Sequence, residues 1–355
     1  MTGSPQVMVS ESGELASLVA AVNAGLGDPH RNTVVAGNGK SPVRFELYHA
    51  GLSVCSQKVR TVLAEKNISY ASHEMVILNS KGIYSDELTP AENYSPDYVR
   101  LRLYAAKELD STELARGYRG VSSVESEGFD ACVVPTLVDH ANSRVIVDSM
   151  RICEYLDQEI AGSSKLIPGD SADAVLRQVS IVDQTPQPAL LYGYHPDDDQ
   201  RPDFIKGAMS DVYDLKVEAL EQLIAANHDD EEVVDAYRAK ISKELGGKEL
   251  QHDAEFLHGI REQTREIITG LEETMAGHEH RWVCGEEFTL ADVCWGVSLY
   301  RIHWLGLSSL WKDLPRVQAI TELLYKRPSL RNAVIEFPSP MPESPHTAGI
   351  LAGGK

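Results

Sequence analysis

The sequence predicts an α/β domain with a mixed β-sheet, followed by an all-α domain. Strand-like and helix-like segments alternate between Arg44 and Glu159, whereas only helical apolar spacing follows residue 170. The turn Leu166-Ile167-Pro168-Gly169 separates the two patterns, and 355 residues suffice for one large domain or two ordinary ones. We expect a flexible N-terminal extension (1–42), an α/β domain (43–162) with a long insertion near 79–132, a helical domain (170–335) and a C-terminal tail (336–355).

The composition is that of a soluble globular protein, with 43% hydrophobic and 24% charged residues. A net charge of −20 argues against a nucleic-acid-binding surface and against docking on an anionic membrane. We see no secretory signal and no apolar run of membrane-spanning length. The spacing of the five cysteines matches neither a disulfide framework nor a zinc site, which favours a reducing cytoplasm. They are Cys55, Cys132, Cys153, Cys284 and Cys294.

The elements of the α/β domain follow in the order β-α-β, a middle segment, then β-β-α. We expect strands at Arg44–His49 and Ser69–Leu78, a helix at Cys55–Lys66, a hairpin of Thr136–Asp139 with Arg144–Val147, and a helix at Ser149–Glu159. Before this domain, Met1–Pro42 is rich in small residues and predicts a mobile extension with one amphipathic run, Glu14–Val22.

The middle segment, Asn79–Cys132, is long for a connection. Pro96 is expected to start a helix that Ala105–Ala115 continues, and Gly117–Glu127 is expected to be a loop. Two interpretations remain open, a lid over a site and a tolerated insertion.

The C-terminal half shows helical apolar spacing with many charges and no convincing strand. The expected helices are Ala172–Val182, Phe204–Ile224, Glu231–Leu245, Ala254–Met275, Leu290–Leu305 and Val317–Lys326. The aspartates at 197–199 lack a calcium-loop spacing, so we expect a solvated turn and no metal site. The Pro/Gly-rich tail from Phe337 is expected to lack regular structure.

Cys55 is the first candidate for chemistry, because it lies where a strand has ended and a helix is about to begin. Free backbone N–H groups and the helix dipole favour an anion there, and a thiolate is such an anion. Ser53 and Ser56 can donate to a thiolate, and Lys58 adds positive charge. The alternative is a buried cysteine that packs as a small hydrophobe.

Two further sites lie at a strand start and a helix start. A cis Val134–Pro135 bond would direct the Val134 backbone N–H and C=O to a ligand, although the sequence leaves a trans bond open. Asp148 or Ser149 either caps the following helix or helps it to bind a carboxylate. A thiol, an exposed backbone strand and a carboxylate-binding helix start together match a γ-glutamyl-cysteinyl peptide.

The chain resembles the glutathione transferase superfamily over roughly Arg44 to Pro328. Val134-Pro135-Thr136-Leu137 resembles its cis-proline strand, and Asp148-Ser149 resembles its acidic-Ser pair for the γ-glutamyl group. Phe288-Thr289-Leu290-Ala291-Asp292-Val293 is similar to its hydrophobic staple and capping box. The resemblance implies a thioredoxin-like N-terminal domain, an all-helical C-terminal domain and glutathione as co-substrate.

Within the superfamily, Ser53-Val54-Cys55-Ser56 resembles the zeta class, which includes maleylacetoacetate isomerases, and the reductive dehalogenases of chlorinated hydroquinones. The dehalogenase resemblance implies that Ser53 holds the glutathione thiolate, whereas Cys55 later removes glutathione from the ring as a mixed disulfide. The alternatives are a glutathione-dependent cis–trans isomerase, another transferase or lyase, and a non-catalytic glutathione-binding module. Intact Ser53, Cys55, Pro135 and Ser149 argue against the binding module.

The second, aromatic substrate is expected between the domains. Candidate lining residues are Tyr192, Tyr194, His195, Trp295, Arg301, His303 and Trp304. Arg301 or His303 could bind a phenolate oxygen; alternatively the tryptophans pack the helical core and Arg301 faces solvent. The expected partners are therefore glutathione and a small aromatic molecule, with a homodimer as a possible assembly and no nucleic acid, membrane or metal.

Overall fold

The N-terminal half is built on a mixed β-sheet. The computed structural model describes residues 7–8, 10, 12–27, 32–35 (backbone), 42–78, 86–109, 113–121, 127–160, 164–195, 198–338 and 343–352. Its strands are β1 (Asn32–Val35), β2 (Phe45–His49), β3 (Tyr70–Glu74), β4 (Thr136–Asp139) and β5 (Arg144–Val147). Their order in the sheet is β1-β3-β2-β4-β5; β2 and β3 are parallel, and the other pairs are antiparallel. The predicted hairpin is confirmed, and the second predicted strand is shorter than expected.

Helices cover both faces of this sheet. They are α1 (Gly13–Gly25), α2 (Val54–Glu65), α3 (Pro96–Ala106) and α4 (Ser149–Glu159). Helix α2 begins after its N-cap Ser53, and Asn67 follows its end with a φ of 52°, a left-handed conformation that asparagine tolerates at helix ends. The bounds predicted for α4 are confirmed, because its apolar residues follow a clear helical period between two capping positions.

The expectation of a mobile N-terminal extension is wrong for the described part of that segment. Leu15, Val19 and Val22 of α1 are buried in a core shared with α3. Strand β1 adds an antiparallel edge to the sheet by pairing with β3. Apolar residues at helical spacing in α1 therefore find a partner surface that the sequence alone did not identify.

The middle segment also departs from its prediction, because the helix that starts at Pro96 ends at Ala106. Leu114 instead forms a β-bridge with Phe129, and Ala115 N–H donates to the Phe129 carbonyl at 2.8 Å. Gly128, with a φ of 89°, permits this pairing; a Cβ there would lie 3.0 Å from the Glu113 carbonyl oxygen. Backbone pairing has thus replaced the predicted helical continuation.

The C-terminal half is helical. Its helices of six or more residues are α5 (Ala172–Asp183), α6 (Gln187–Tyr192), α7 (Asp203–Met209), α8 (Val212–Ala226), α9 (Glu231–Leu250), α10 (Ala254–Ala276), α11 (Leu290–Trp304) and α12 (Pro315–Tyr325). The capping box predicted for α11 is confirmed, since Asp292 Oδ2 accepts a hydrogen bond from Thr289 N–H at 2.8 Å. In the described part of the chain, no helix combines the length and the apolar character needed to cross a membrane.

Three local predictions for this half need correction. The helix expected over Phe204–Ile224 is two helices, because the Ser210 hydroxyl donates to the Gly207 carbonyl at 3.0 Å where α7 ends. Helix α6 was not predicted at all. The tail expected to lack regular structure contains a short 3₁₀-helix at Pro345–Thr347 and a short α-helix at Ala348–Ala352. A 2.6 Å hydrogen bond from the Ser344 hydroxyl to the Trp304 carbonyl anchors this segment.

Candidate active site

Strand directions bring the predicted site residues to one edge of the sheet. The parallel strands β2 and β3 end there, whereas the antiparallel β4 begins there and β5 ends there. The register pairs Tyr48 with Thr136, and Thr136 with Val147. Ser53, Pro135 and Asp148 follow or precede these strand ends, so three segments distant in sequence converge.

A cavity of about 200 Å³ lies at this edge, between the sheet and the helical domain. Eight of the predicted site residues line it: Ser53, Cys55, Val134, Pro135, Asp148, Ser149, Tyr192 and Arg301. The middle segment contributes Asn93, Tyr94 and Asp130 to the wall, so this part of the insertion belongs to the site.

The N-terminus of α2 presents Cys55 to this cavity. The Ser53 hydroxyl accepts a hydrogen bond from the Ser56 N–H at 3.2 Å, and the Ser56 hydroxyl accepts one from the Ala50 N–H at 3.2 Å. Cys55 is the second residue of the helix and is partly exposed. Its position in the first turn, where backbone N–H groups lack helical partners, favours a negatively charged sulfur.

Two cations flank Cys55. A negatively charged Cys55 sulfur would raise the pKa of both Lys58 and Arg301, because each cation lies close enough for Coulomb attraction. Burial alone would lower the pKa of Lys58, but the Asp183 carboxylate, 2.7 Å from its ammonium group, raises it. Burial lowers the pKa of Arg301 to about 10. Both side chains are therefore charged near neutral pH.

Buried arginines hold the loop that precedes Cys55. Arg60 Nη1 donates to the Ala50 carbonyl at 2.9 Å, and Nη2 donates to the Gly51 carbonyl at 3.1 Å. Arg301 of α11 donates to the Leu52 carbonyl. The three backbone carbonyl groups that directly precede Ser53 thus each accept a hydrogen bond from a guanidinium group. Because Arg60 and Arg301 belong to different domains, both domains hold this loop. Sequence reasoning missed Arg60, because its position on a helix gives no sign that the helix is buried on all sides.

The Val134–Pro135 peptide bond is cis, which the sequence had left open. Helix α3 supports this loop, since the Tyr98 hydroxyl donates to the Val133 carbonyl at 2.9 Å and Arg102 donates to the Pro135 carbonyl at 2.8 Å. Among the described residues, no hydrogen bond occupies the Val134 backbone N–H or C=O. Both groups remain available to the backbone of a peptide ligand.

Asp148 and Ser149 form the start of α4. Asp148 Oδ1 accepts hydrogen bonds from the N–H groups of Met150 at 2.9 Å and Arg151 at 3.2 Å, so Asp148 caps the helix. Its φ of 72° is unusual for a residue other than glycine, and burial raises the pKa of its carboxyl group. Ser149 is the first helical residue and lines the cavity. The capping carboxylate and the first helical residue therefore both lie at the cavity.

Five predicted substrate residues do not line this cavity: Tyr194, His195, Trp295, His303 and Trp304. The Tyr194 hydroxyl donates to the Lys206 carbonyl at 3.2 Å, and Trp295 Nε1 donates to Gln178 Oε1 at 3.0 Å. His195 is buried with Nε2 3.3 Å from the Leu190 carbonyl oxygen, and burial lowers its pKa to about 4. His303 Nδ1 lies 3.5 Å from the Tyr325 hydroxyl oxygen. Trp304 packs edge-on against Phe204 and lines a second cavity of about 270 Å³.

In the acidic turn predicted at 197–199, the Asp199 carboxylate pairs with the Arg201 guanidinium at 2.7 Å, whereas Asp197 lies outside the described residues.

Sequence reasoning also missed the lysines of the cavity wall: Lys216 on α8 and Lys240 and Lys243 on α9. Charged residues at helical spacing are normally solvated, so the sequence carried no signal that these side chains point inward. Among the described residues, no group of acidic, histidine and cysteine side chains is arranged to hold a metal ion.

Comparisons with known proteins agree with this geometry. Residues 52–159 match the model of the glutathione S-transferase N-terminal domain. The chain is 38% identical to the 2,5-dichlorohydroquinone reductive dechlorinase of Sphingobium indicum over 88% of this chain and 92% of that protein. It is 26% identical to human ganglioside-induced differentiation-associated protein 1-like 1, over 81% of this chain and 73% of that protein.

More distant matches show the same fold. The chain is 23% identical to the tetrachloro-p-hydroquinone reductive dehalogenase of Sphingobium chlorophenolicum, over 81% of this chain and 94% of that protein. Its fold is similar to that of a beta-etherase from Sphingobium sp. strain SYK-6, with a TM-score of 0.50 and 19% identity over 82% of this chain and 98% of the other. The fold therefore consists of a thioredoxin-like domain and a helical domain, and the chain belongs to the glutathione transferase superfamily, in one family with 2,5-dichlorohydroquinone reductive dechlorinase.

Proposed function

We propose that this protein is a glutathione-dependent reductive dechlorinase that acts on a chlorinated hydroquinone such as 2,5-dichlorohydroquinone. The observation that carries the proposal is the presence of Ser53 and Cys55 at one helix start, in a cavity also lined by Pro135 and Ser149. The 38% identical relative is named for that reaction. A binding module would not need a second sulfur beside the glutathione thiol.

Glutathione is proposed to lie along the edge of the sheet. Its γ-glutamyl group would contact Asp148 and Ser149 at the start of α4, where backbone N–H groups favour its carboxylate. Its cysteinyl backbone would pair with the open N–H and C=O of Val134. Its thiolate would then reach the Ser53 hydroxyl and the N-terminus of α2.

The reaction consumes two molecules of glutathione. The first thiolate attacks the chlorinated carbon of the ring in its keto tautomer, forming a C–S bond and releasing chloride. The Cys55 thiolate then attacks the glutathionyl sulfur; an S–S bond forms, the C–S bond breaks, and the ring carbon takes a proton. The second glutathione frees Cys55 by exchange. One aryl chloride and two thiols thus give one aryl–H, chloride, a proton and one glutathione disulfide.

The ring is proposed to lie against Tyr192 and Arg301, which are the predicted substrate residues that line the cavity. The Arg301 guanidinium is buried and has no carboxylate partner among the described residues. A phenolate oxygen of the hydroquinone would supply the missing negative charge. The same guanidinium would favour the Cys55 thiolate, so binding of the ring and activation of the thiol would depend on one residue.

The test is to follow chloride and glutathione disulfide with 2,5-dichlorohydroquinone and glutathione, using wild type and Cys55→Ser. Wild type should release one chloride per glutathione disulfide. Cys55→Ser should still release chloride in a first turnover but accumulate a glutathionyl-hydroquinone, detected by mass spectrometry. Cys284→Ser, which alters a cysteine outside the cavity, is the matched control and should behave as wild type.

Absence of chloride from every chlorinated hydroquinone, together with turnover of maleylacetoacetate, would identify an isomerase instead. Glutathione binding without turnover of any candidate would identify a binding module. A homodimer also remains a prediction, and size-exclusion chromatography with light scattering tests it.

A further inference from the structure

Helices α8 and α9 place a buried group of charges against the cavity. Lys216 of α8 and Lys240 of α9 line it, and both are nearly inaccessible to solvent. The Tyr237 hydroxyl of α9 also donates to the Tyr94 carbonyl at 2.6 Å, which ties this helical hairpin to the thioredoxin-like domain. The hairpin therefore forms a wall of the cavity as well as a part of the helical domain.

Ion pairs connect these lysines to one another through carboxylates. Glu244 accepts from Lys216 through Oε2 and from Lys240 through Oε1, each at 3.0 Å. Asp130 Oδ2 lies 2.8 Å from the Lys240 ammonium nitrogen and 3.6 Å from that of Lys243. We call these residues, together with the nearby Arg102 and Glu127, the basic cluster. Lys243 pairs with Glu127 at 2.5 Å, and Arg102 donates to the Asp130 carbonyl at 2.9 Å.

The basic cluster has an excess of one positive charge. Its cations are Lys216, Lys240, Lys243 and Arg102, and its carboxylates are Glu127, Asp130 and Glu244. Burial would raise the pKa of Asp130 and of Glu244, but the neighbouring lysines lower both, to about 2 for Glu244. Burial would lower the pKa of Lys240, but Asp130 and Glu244 raise it. An uncompensated buried charge is unfavourable, so this excess favours the binding of a further anion at the cavity wall.

Hydrogen-bond donors also remain. An ammonium group carries three N–H donors. Among the described residues, one carboxylate contact uses the Lys216 ammonium and two use that of Lys240. The Lys216 ammonium nitrogen also lies 4.4 Å from the centre of the Tyr192 ring, which is a weaker partner than a carboxylate. Charge and donor capacity therefore both favour an acceptor that bears a negative charge.

The position of the basic cluster indicates which end of a ligand it meets. Asp148 follows β5, whereas Ile77, Asn93 and Tyr94 follow β3, on the opposite side of β2 and β4. Three strand spacings separate β3 from β5, about 14 Å. An extended tripeptide is about 10 Å long. A ligand whose one end lies at Asp148 and whose middle lies at Val134 thus directs its other end towards the lysines.

We propose that Lys216 and Lys240, carried by the α8–α9 hairpin, form an anion subsite that binds a carboxylate at the end of the cavity opposite Asp148. The proposal rests on the proposed function for the placement of glutathione. The glycyl carboxylate of glutathione is the source that fits the direction of the ligand, and an anionic oxygen of the second substrate is the other source with the same chemistry.

The test compares glutathione with its glycyl ethyl ester by isothermal titration calorimetry, using wild type, Lys216→Gln and Lys216→Arg. Lys216 is chosen because its removal leaves Glu244 paired with Lys240. Wild type should bind glutathione about tenfold more tightly than the ester, since a charge-assisted hydrogen bond is lost in the ester. Lys216→Gln should weaken the binding of glutathione but not of the ester, so that the ratio of the two dissociation constants approaches one. Lys216→Arg should retain much of the preference for glutathione.

Lys248→Gln is the matched control, because Lys248 is an exposed lysine near the end of α9 and should leave the ratio unchanged. Circular dichroism and thermal unfolding show whether Lys216→Gln is folded. If Lys216→Gln leaves the ratio of dissociation constants unchanged but raises the KM for the hydroquinone, the subsite binds the second substrate instead. No preference in wild type and no change in KM would overturn the proposal. The calorimetric ratios stand even when chloride release fails, and only the KM comparison requires turnover.

Discussion

Arg301, in the central helix of the helical domain, donates a hydrogen bond to the backbone carbonyl of Leu52, one residue before the N-cap of α2. The contact joins the two domains at the loop that presents Ser53 and Cys55. The guanidinium also lines the cavity, so it contacts the loop and the expected position of the ring.

Replacing Arg301 by Lys should lower kcat/KM for the chlorinated hydroquinone by about 100-fold, because misplacing the reacting groups by about 1 Å has an effect of that size. A lysine keeps the positive charge but cannot reproduce the planar guanidinium contacts. Steady-state kinetics with circular dichroism checks this. Arg238→Lys, at an exposed position of α9, is the control. An unchanged kcat/KM for Arg301→Lys would contradict the role.

Replacing Arg60 by Met should destabilise the fold by roughly 3 kcal/mol, since a hydrogen bond from a charged donor contributes about 1.5–3 kcal/mol and methionine can make none of them. Ala50, Gly51 and Ala333 all accept from this guanidinium. The Phe337 ring lies 3.9 Å from it, so Phe337→Leu should cost about 1 kcal/mol. Urea unfolding measures the stability of both variants. An equal loss of stability in Arg60→Met and Phe337→Leu would show that the hydrogen bonds to the carbonyls contribute little.

Glu46 should make stability depend on acid pH. Burial would raise the pKa of Glu46, but hydrogen bonds with His140 at 2.7 Å and His73 at 2.5 Å lower it below its usual value of 4.5. A lowered folded-state pKa stabilises the protein above the unfolded pKa, and this contribution is lost as the pH falls through the folded pKa. Glu46→Gln should therefore be less stable than wild type at pH 6, and the difference should shrink at pH 3.

Urea unfolding at both pH values measures this difference. The exposed Glu221 of α8 offers the matched control, Glu221→Gln, which should show the same difference at both pH values. A constant difference for Glu46→Gln would indicate that the lost contacts act through shape and not through ionisation.

Two helical glycines should respond in opposite ways to alanine. A Cβ at Gly247 of α9 would lie 2.6 Å from Cε1 of the buried Tyr213 of α8, whereas nothing lies within 4 Å of a Cβ at Gly270 of α10. Gly247→Ala should therefore cost about 1–3 kcal/mol by overpacking. Gly270→Ala should gain up to about 1 kcal/mol from helix propensity. Thermal unfolding checks both; stabilisation by Gly247→Ala would show that the two helices can separate freely.

Sequence reasoning located the elements with clear periodicity and the residues at their ends. The β4–β5 hairpin and α4 have the predicted bounds, because alternation, a tight turn and a capping residue all agree there. Ser53, Pro135 and Ser149 lie where strand ends were predicted, so their convergence follows once the strand order is known.

The parts that sequence reasoning missed depend on tertiary packing. Lys216 and Lys240 are typical of a solvated helix face until α8 and α9 are packed together against Asp130. Arg60 lies on a helix whose polar residues are buried because the helical domain and the tail cover it. The break between α7 and α8 was equally hidden, since Ser210 competes with the backbone locally and leaves the apolar period intact.

The largest apolar core does not follow the domain boundary. It joins Leu47 and Val59 of the thioredoxin-like domain with Val179, Trp295 and Ile335 of the helical half. A truncated chain that ends after α4 would expose this surface and leave Lys58 without Asp183 and Arg60 without Ala333. The two halves should therefore unfold as one cooperative unit, and exchanging the helical half between relatives would require redesigning the shared surface along α2.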